Sequence, residues 1–229
     1  MKRIISFLLL TIAGYTAQAQ IRTLFQETYE SNSLKKNWSV INGDWKVNEL
    51  GITGNKNTDW AILISKKTLP KDYILTFSSL VDPKAYLFEV ITNLNGEKYL
   101  GFLLNQLENR VAIEDRSLFA DPVKKGTFIH STGHIGLMPK VKKLSEHIWQ
   151  NWKIQKTGNQ IFVWINNGAI ISLNDTTGFV KPKGNFGFAI NGEAMIKDVK
   201  LIKTRGEASL PPKSFVLKSP VEKPFFVFE

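Results

Sequence analysis

Cysteine is missing altogether, with 0 in 229 residues. Its absence removes disulfide staples, thiolate chemistry and anchoring through a lipidated cysteine in one stroke. Stability must then come from an ordinary packed core. Histidine is almost as scarce, at 3 copies. His130 and His134 stand in a stretch, His130-Ser131-Thr132-Gly133-His134, that reads as a loop, and His147 follows. No acidic cluster completes a metal set around them, so no zinc is expected. No Asp/Asn-rich loop suits calcium either, because Asn174-Asp175 is followed only by two threonines and a glycine. Phosphate-cradling glycine loops, nucleophile elbows and Ser-His-Asp arrangements are absent too, which argues against nucleotide chemistry. The expectation is a protein with no metal and no cofactor. After the first few residues no apolar run is long enough to span a bilayer, so the mature chain should have no transmembrane segment.

What is present begins with an export signature. Lys2 and Arg3 form a basic start, Ile4 to Ala13 a short apolar core, and Ala17-Gln18-Ala19 a small-residue cleavage site. Residues 1–19 therefore read as a signal peptide, and the expected location is periplasmic or extracellular. The formal charge is +10; without Lys2 and Arg3 it is 28 basic against 20 acidic residues, or +8. Acidic partners suit such a balance. The lysines, however, are scattered in pairs such as Lys35-Lys36 and Lys142-Lys143, with no nucleic-acid motif beside them. A solvated basic surface is the simpler reading, and nucleic acid is not an expected partner.

Beyond the signal, helical periodicity is nearly absent. Short runs alternate with period two, rich in β-branched and aromatic residues and cut by Gly, Asn, Asp and Pro. Strands are predicted at Asp44–Asn48, Ala61–Ser65, Tyr73–Val81, Tyr86–Thr92, Tyr99–Asn105, Val111–Asp115, Trp152–Lys156, Gln160–Ile165, Ala169–Leu173, Asn185–Ile190 and Ile196–Lys203. Turns are predicted at Asn42-Gly43, Asn95-Gly96, Thr157-Gly158-Asn159, Asn166-Asn167-Gly168 and Asn191-Gly192. So many strands without helices predict an all-β, two-sheet antiparallel β-sandwich over residues 20–205. Residues 206–229 carry Pro211-Pro212, Pro220 and Pro224 and end Phe225-Phe226-Val227-Phe228-Glu229, which predicts an extended tail.

Alternation assigns the faces. Tyr73, Leu75 and Phe77 share a core side, as do Leu100, Phe102 and Leu104, and Phe186, Phe188 and Ile190. Opposite the last set stand Gly187 and Ala189, and a face floored by small residues leaves room for a ligand. If Phe88 and Val90 face the core, Glu89 points to that other side. Glu114 and Arg116 stand in the same relation to Val111 and Ile113, with Tyr99 on the strand between. These four could grip a sugar through hydrogen bonds and ring contact. Trp60, after the polar run Gly54–Asp59, is the candidate stacking aromatic at a loop edge, whereas Trp38, Trp45, Trp152 and Trp164 read as core.

Three segments in order carry a resemblance. They are Phe25-Gln26-Glu27 with Trp38-Ser39-Val40 and Gly43-Asp44-Trp45-Lys46-Val47; Trp149-Gln150-Asn151-Trp152-Lys153-Ile154 leading to Ile161-Phe162-Val163-Trp164-Ile165-Asn166-Asn167-Gly168; and Gly184-Asn185-Phe186-Gly187-Phe188-Ala189 leading to Ile196-Lys197-Asp198-Val199-Lys200-Leu201. This pattern resembles the concanavalin A-like lectin/glucanase superfamily, a jelly-roll fold, and within it the 3-keto-disaccharide hydrolase (laminarinase-like) domains. The resemblance implies a glycan or small saccharide as partner, bound by a carbohydrate-recognising domain or cleaved by a glycoside hydrolase. The hydrolase pattern departs at Pro83-Lys84-Ala85-Tyr86-Leu87-Phe88-Glu89-Val90, which lacks the Asn-Ser-Gly-like turn and following arginine of those relatives. No carboxylate pair is marked as catalytic by spacing. A non-catalytic envelope interaction protein, using the basic surface or the aromatic tail, is the third reading, and the sequence leaves the oligomeric state open.

Overall fold

A computed structural model describes residues 22–204 apart from 58, 109, 122–125, 135–147, 177 and 179. The signal-like start, His147 and the proline-rich segment lie outside the described residues. In chain order the elements are β1 (Arg22–Gln26), α1 (Ser33–Asn37), β2 (Trp38–Asn42), β3 (Asp44–Asn48), β4 (Gly51–Asn55), β5 (Ala61–Leu69), β6 (Tyr73–Val81), β7 (Leu87–Asn95) and β8 (Lys98–Asn105). They continue as β9 (Arg110–Asp121), β10 (Gly126–His134), β11 (Gln150–Thr157), β12 (Gln160–Ile165), β13 (Gly168–Asn174), β14 (Gly184–Asn191) and β15 (Glu193–Lys203). No helix among the described residues is long and apolar enough to cross a membrane.

The strands form two antiparallel sheets packed face to face. The first runs β13-β12-β11-β6-β15-β4-β3, with β1 also on β15; the second runs β10-β9-β8-β7-β14-β5-β2. One edge of β15 pairs with β6, and the other is divided between β4 at its start and β1 at its end. The core between the sheets follows the alternation. Leu75, Phe77, Trp152, Ile154, Ile196 and Leu201 enter from the first sheet, and Phe88, Val90, Phe102, Ile113, Phe186 and Phe188 from the second. Phe77 stacks on Trp152 with ring centroids 5.6 Å apart and meets Phe188 edge-on at 5.0 Å. Each such side chain contributes about 1.5–3 kcal/mol by leaving water, enough in sum for a chain with no disulfide.

The predicted turns at Asn95-Gly96, Thr157-Gly158-Asn159 and Asn166-Asn167-Gly168 close hairpins, whereas Asn42-Gly43 and Asn191-Gly192 carry the chain from one sheet to the other. Asn166 and Asn167 adopt φ of 50° and 63°, the left-handed pair that a two-residue hairpin requires and that asparagine tolerates. Four strands went unanticipated. β1 buries only Phe25, and β4 carries two glycines, so neither shows a strand-like pattern; both are held by their pairing to β15. β2 was seen only as part of a motif. β10 contains His130 and His134, so that stretch is a strand paired with β9 rather than a loop.

One buried carboxylate locks the entry of the chain. Glu27, between β1 and α1, accepts the indole N–H of Trp38 at 2.7 Å, the Asn37 amide at 3.2 Å, and the backbone N–H groups of Thr28 and Tyr29 at 3.1 and 3.2 Å. Its donors are all neutral.

Candidate functional site

The second sheet has an outer face, turned away from the core, and its cross-strand pairs define the site. In one row Ala112, Leu103, Glu89, Ala189 and Ile62 stand side by side on β9, β8, β7, β14 and β5. The next row holds Glu114, Gly101, Ile91, Gly187 and Ile64. Tyr99 and Arg116 are paired in the row beyond. Glu89 is thus two rows, or four residues along the strands, from Tyr99 and Arg116, and the bare backbone of Gly101 lets it reach them. A Cβ at Gly101 would lie 2.0 Å from Glu89 Oε1, so the carboxyl occupies the space a side chain would need.

The four polar groups meet over that glycine. Arg116 Nε lies 3.2 Å from Glu89 Oε1, and the same guanidinium folds back along its strand onto Glu114. The Tyr99 hydroxyl donates to Glu89 Oε2 at 3.3 Å. Glu89 Oε1 faces the arginine yet accepts no aligned hydrogen bond. One cation is therefore shared by two acids. All four are shielded: Glu89 is 0 % exposed, Tyr99 and Glu114 2 %, and Arg116 8 %. Burial pushes the Glu89 carboxyl up to about 7 against the pull of Arg116, with Glu114 adding repulsion and the Tyr99 hydrogen bond opposing it. Burial and the neighbouring Glu89 push the Tyr99 phenol well above its ordinary value. Chemically, Glu89 can hold or release a proton near neutrality, while Arg116 and Tyr99 present donors.

The rest of this face is apolar and larger in side-chain volume than the small-residue floor predicted. Ile62, Ile64, Ile91, Leu103, Ala112 and Ala189 form a second apolar cluster around the quartet. Trp60 belongs to that cluster. It precedes β5 in step with Ile62 and Ile64, is only 7 % exposed, and lies within the face rather than at an open loop edge. Among the described residues no group of three or more His, Asp and Glu side chains could hold a metal ion.

The outer face of the first sheet is the converse. A groove of roughly 600 Å³ opens there, lined by Thr76, Ser78, Asn151, Lys153, Trp164 and Asp198, among others. Trp164 is half-buried on this face, with Phe162 beside it at 5.8 Å, and is not a core residue. The run Ile161-Phe162-Val163-Trp164-Ile165 is apolar on both sides of the strand, so alternation could not separate them; Ile161, Val163 and Ile165 are the core set. Sequence reasoning missed this surface because its polar members are spread over three strands, β6, β11 and β15.

No family model matches the chain, and no curated protein matches it in sequence. Solved structures do. A protein of unknown function with a galectin-like fold from Bacillus subtilis superposes with a TM-score of 0.60 at 14 % identity, covering 82 % of this chain and 100 % of its own. The carbohydrate-binding module CBM66 from Bacillus subtilis gives 0.57 at 12 %, covering 73 % and 96 %. The fold is a concanavalin A-like β-sandwich. β-Agarase A, solved with oligoagarose, shares it with a TM-score of 0.56 at 5 % identity, covering 82 % and 95 %. At such identities the concanavalin A-like architecture is common ground, and residue roles do not transfer.

Proposed function

We propose that this chain is an exported carbohydrate-recognising β-sandwich that binds a glycan or small saccharide on the outer face of its second sheet, through Arg116, Glu89, Glu114 and Tyr99. The observation that carries the reading is the quartet itself. Burying two carboxyls beside one guanidinium is a costly way to hold a sheet together, since apolar residues of similar volume often serve as well or better. Glu89 Oε1 is ion-paired with Arg116 at 3.2 Å but accepts no aligned hydrogen bond, so it keeps acceptor capacity. A sugar hydroxyl supplies the aligned donor once the covering side chains move aside, since the Glu89 carboxyl fills the space above Gly101 and Ile64 crowds that above Gly187. Arg116, the most exposed of the four, is the member a ligand meets first. Swinging its guanidinium aside is the kind of rotamer change that interfaces commonly make on binding. The fold shared with a carbohydrate-binding module and an agarase supports the reading at the level of architecture.

The test is calorimetry and thermal shift of the full chain against neutral glycans, acidic glycans and 3-keto sugars. Glu89→Gln and Tyr99→Phe are expected to weaken binding at least tenfold while each variant still unfolds in one cooperative transition. The reading is lost if no saccharide shifts the wild type, or if both variants bind as the wild type does.

A second reading, a glycoside hydrolase of the 3-keto-disaccharide type, is favoured by one observation. Glu89 is held to about 7 while Glu114 is ion-paired with Arg116, the kind of division between two carboxyls that acid–base chemistry uses. Product analysis of every binding saccharide separates the readings. Turnover must disappear in Glu89→Gln or Glu114→Gln; undiminished turnover in both removes these two residues from the chemistry.

A further inference from the structure

The open groove on the first sheet has the composition of a binding surface in its own right. Its floor comes from register. Lys153 on β11 pairs with Trp164 on β12 and with Thr76 on β6, and Thr76 pairs in turn with Lys200 on β15. The neighbouring row places Asn151 beside Ser78 and Ser78 beside Lys197. Cross-strand partners share a face, so Lys153, Lys197 and Lys200 all stand on this one, against a single acid in the groove, Asp198. Asp198 sits at φ 57° inside a bulge where the β15 register shifts between Lys197 and Lys200. Such a bulge re-aims a side chain, here bringing Asp198 Oδ2 to 3.5 Å from the Ser78 hydroxyl, which itself donates to Asn151 Oδ1 at 2.8 Å.

Two tryptophans border this polar strip. Lys153 Nζ lies 4.5 Å from the Trp164 ring centroid, and Lys197 Nζ lies 4.2 Å from that of the half-buried Trp149. Each ammonium is held beside an aromatic surface, with no carboxylate salt bridge at either lysine among the described residues. Burial lowers the Lys153 pKa from its ordinary value. An arriving anion would reverse that direction.

We infer that this groove is a second saccharide site, distinct from the quartet, and that it takes an anionic oligosaccharide carrying uronate or sulfate groups. Trp164 offers a flat apolar surface for a pyranose ring once Lys153 swings from over it to meet the sugar's charge. Asn151, Ser78 and Asp198 supply the acceptors and donors that hydroxyls need. The three ammonium groups answer the sugar's charge, and three cations to one acid leave a neutral ligand without that gain. Aromatic rings and lysines also suit single-stranded nucleic acid. An acid inside the groove opposes a phosphate backbone, however, while it matches a hydroxyl-rich ligand. The inference is independent of the quartet, since the two surfaces lie on opposite sheets.

The full chain titrated with hexagalacturonate, a chondroitin sulfate hexasaccharide, neutral cellohexaose and a short oligothymidylate decides it, read by calorimetry and tryptophan emission. One of the anionic hexasaccharides is expected to bind at least tenfold more tightly than cellohexaose, with an affinity that falls as salt rises. Lys153→Gln with Lys197→Gln should weaken it at least tenfold, and Trp164→Ala should remove the emission change. Trp164→Phe, which keeps a ring, serves if the alanine variant fails to fold, and is expected to retain part of the binding. Loss in the lysine and tryptophan variants assigns the anionic sugar to this groove, whereas loss in Glu89→Gln with the lysine variant unaffected assigns it to the quartet and overturns the inference. Equal affinity for neutral and anionic sugars, no binding of either anionic sugar, tighter binding of oligothymidylate than of both, or indifference to the lysine substitutions would each overturn the inference.

Discussion

The outer faces of the two sheets handle charge in opposite ways. On the second sheet, two acids and one arginine are sealed from water, and each depends on the others for compensation. On the first sheet, three lysines and one aspartate border an open groove, where water screens whatever is unpaired. The difference is one of solvation cost. A buried charge that loses its partner is penalised severely, while an exposed one is nearly indifferent. Glu27 shows a third arrangement, a buried carboxylate answered by neutral donors from its own neighbourhood. A wall of hydrogen bonds of that kind is sufficient to bury an acid for structural purposes, which makes the shared arginine at Glu89 and Glu114 the more unusual solution.

The sharpest break in the comparison is Arg116→Met. It leaves two carboxyls buried without a cation and should cost about 3–5 kcal/mol, by the precedent of broken buried ion pairs. Without the pull of Arg116, Glu89 would favour its protonated form still more, so the loss should be larger at pH 8 than at pH 5 in urea unfolding. Adding Glu89→Gln and Glu114→Gln to the same chain should recover part of it. If Arg116→Met unfolds like the wild type at pH 8, the quartet is not energetically coupled.

Gly101→Ala tests the same cluster without removing a charge. Its methyl claims the place of Glu89 Oε1 and should cost roughly 1–3 kcal/mol, typical of overpacking. In a Glu89→Ala background the same substitution should cost much less, a non-additivity that denaturant midpoints measure directly.

The pH dependence follows from Glu89. Its carboxyl is pushed above the ordinary 4.5 to about 7 in the folded chain. The folded state therefore binds that proton more tightly than the unfolded state. The associated stability is fully present below about pH 4.5 and is lost as pH rises to about 7. Relative to Glu89→Gln, the wild type should lose roughly 1–3 kcal/mol across that window. Parallel curves for the two proteins would show that Glu89 does not titrate there.

The open face supplies the smallest effect. Lys153→Gln and Lys197→Gln should each change stability by less than about 0.5 kcal/mol, as surface substitutions do. A larger loss in urea unfolding would mean that these lysines hold the sheet together through their tryptophans.

Much of this was legible in advance. Period-two alternation separated Phe88 and Val90 from Glu89, and it likewise set Glu114 and Arg116 apart from Ile113, because side-chain direction along a strand is fixed by the pleat. That is why four candidate residues on three strands arrive at one place. Trp60 was misread because the polar run before it looked like an exposed loop, whereas its own position is in step with Ile62 and Ile64. Trp164 was misread for the opposite reason, since a strand apolar on both faces carries no parity signal.

By itself, then, the sequence determined the all-β class, the hairpin turns and the side of the strand each residue takes, because these depend on local φ/ψ preference and a period of two. The tertiary structure alone decided which strands are neighbours, and so that Gly101 makes room for Glu89 and that Arg116 is shared. It also decided that one outer face is covered while the other stays open. Strand order and burial come from contacts between residues far apart in the chain, and no local pattern records them.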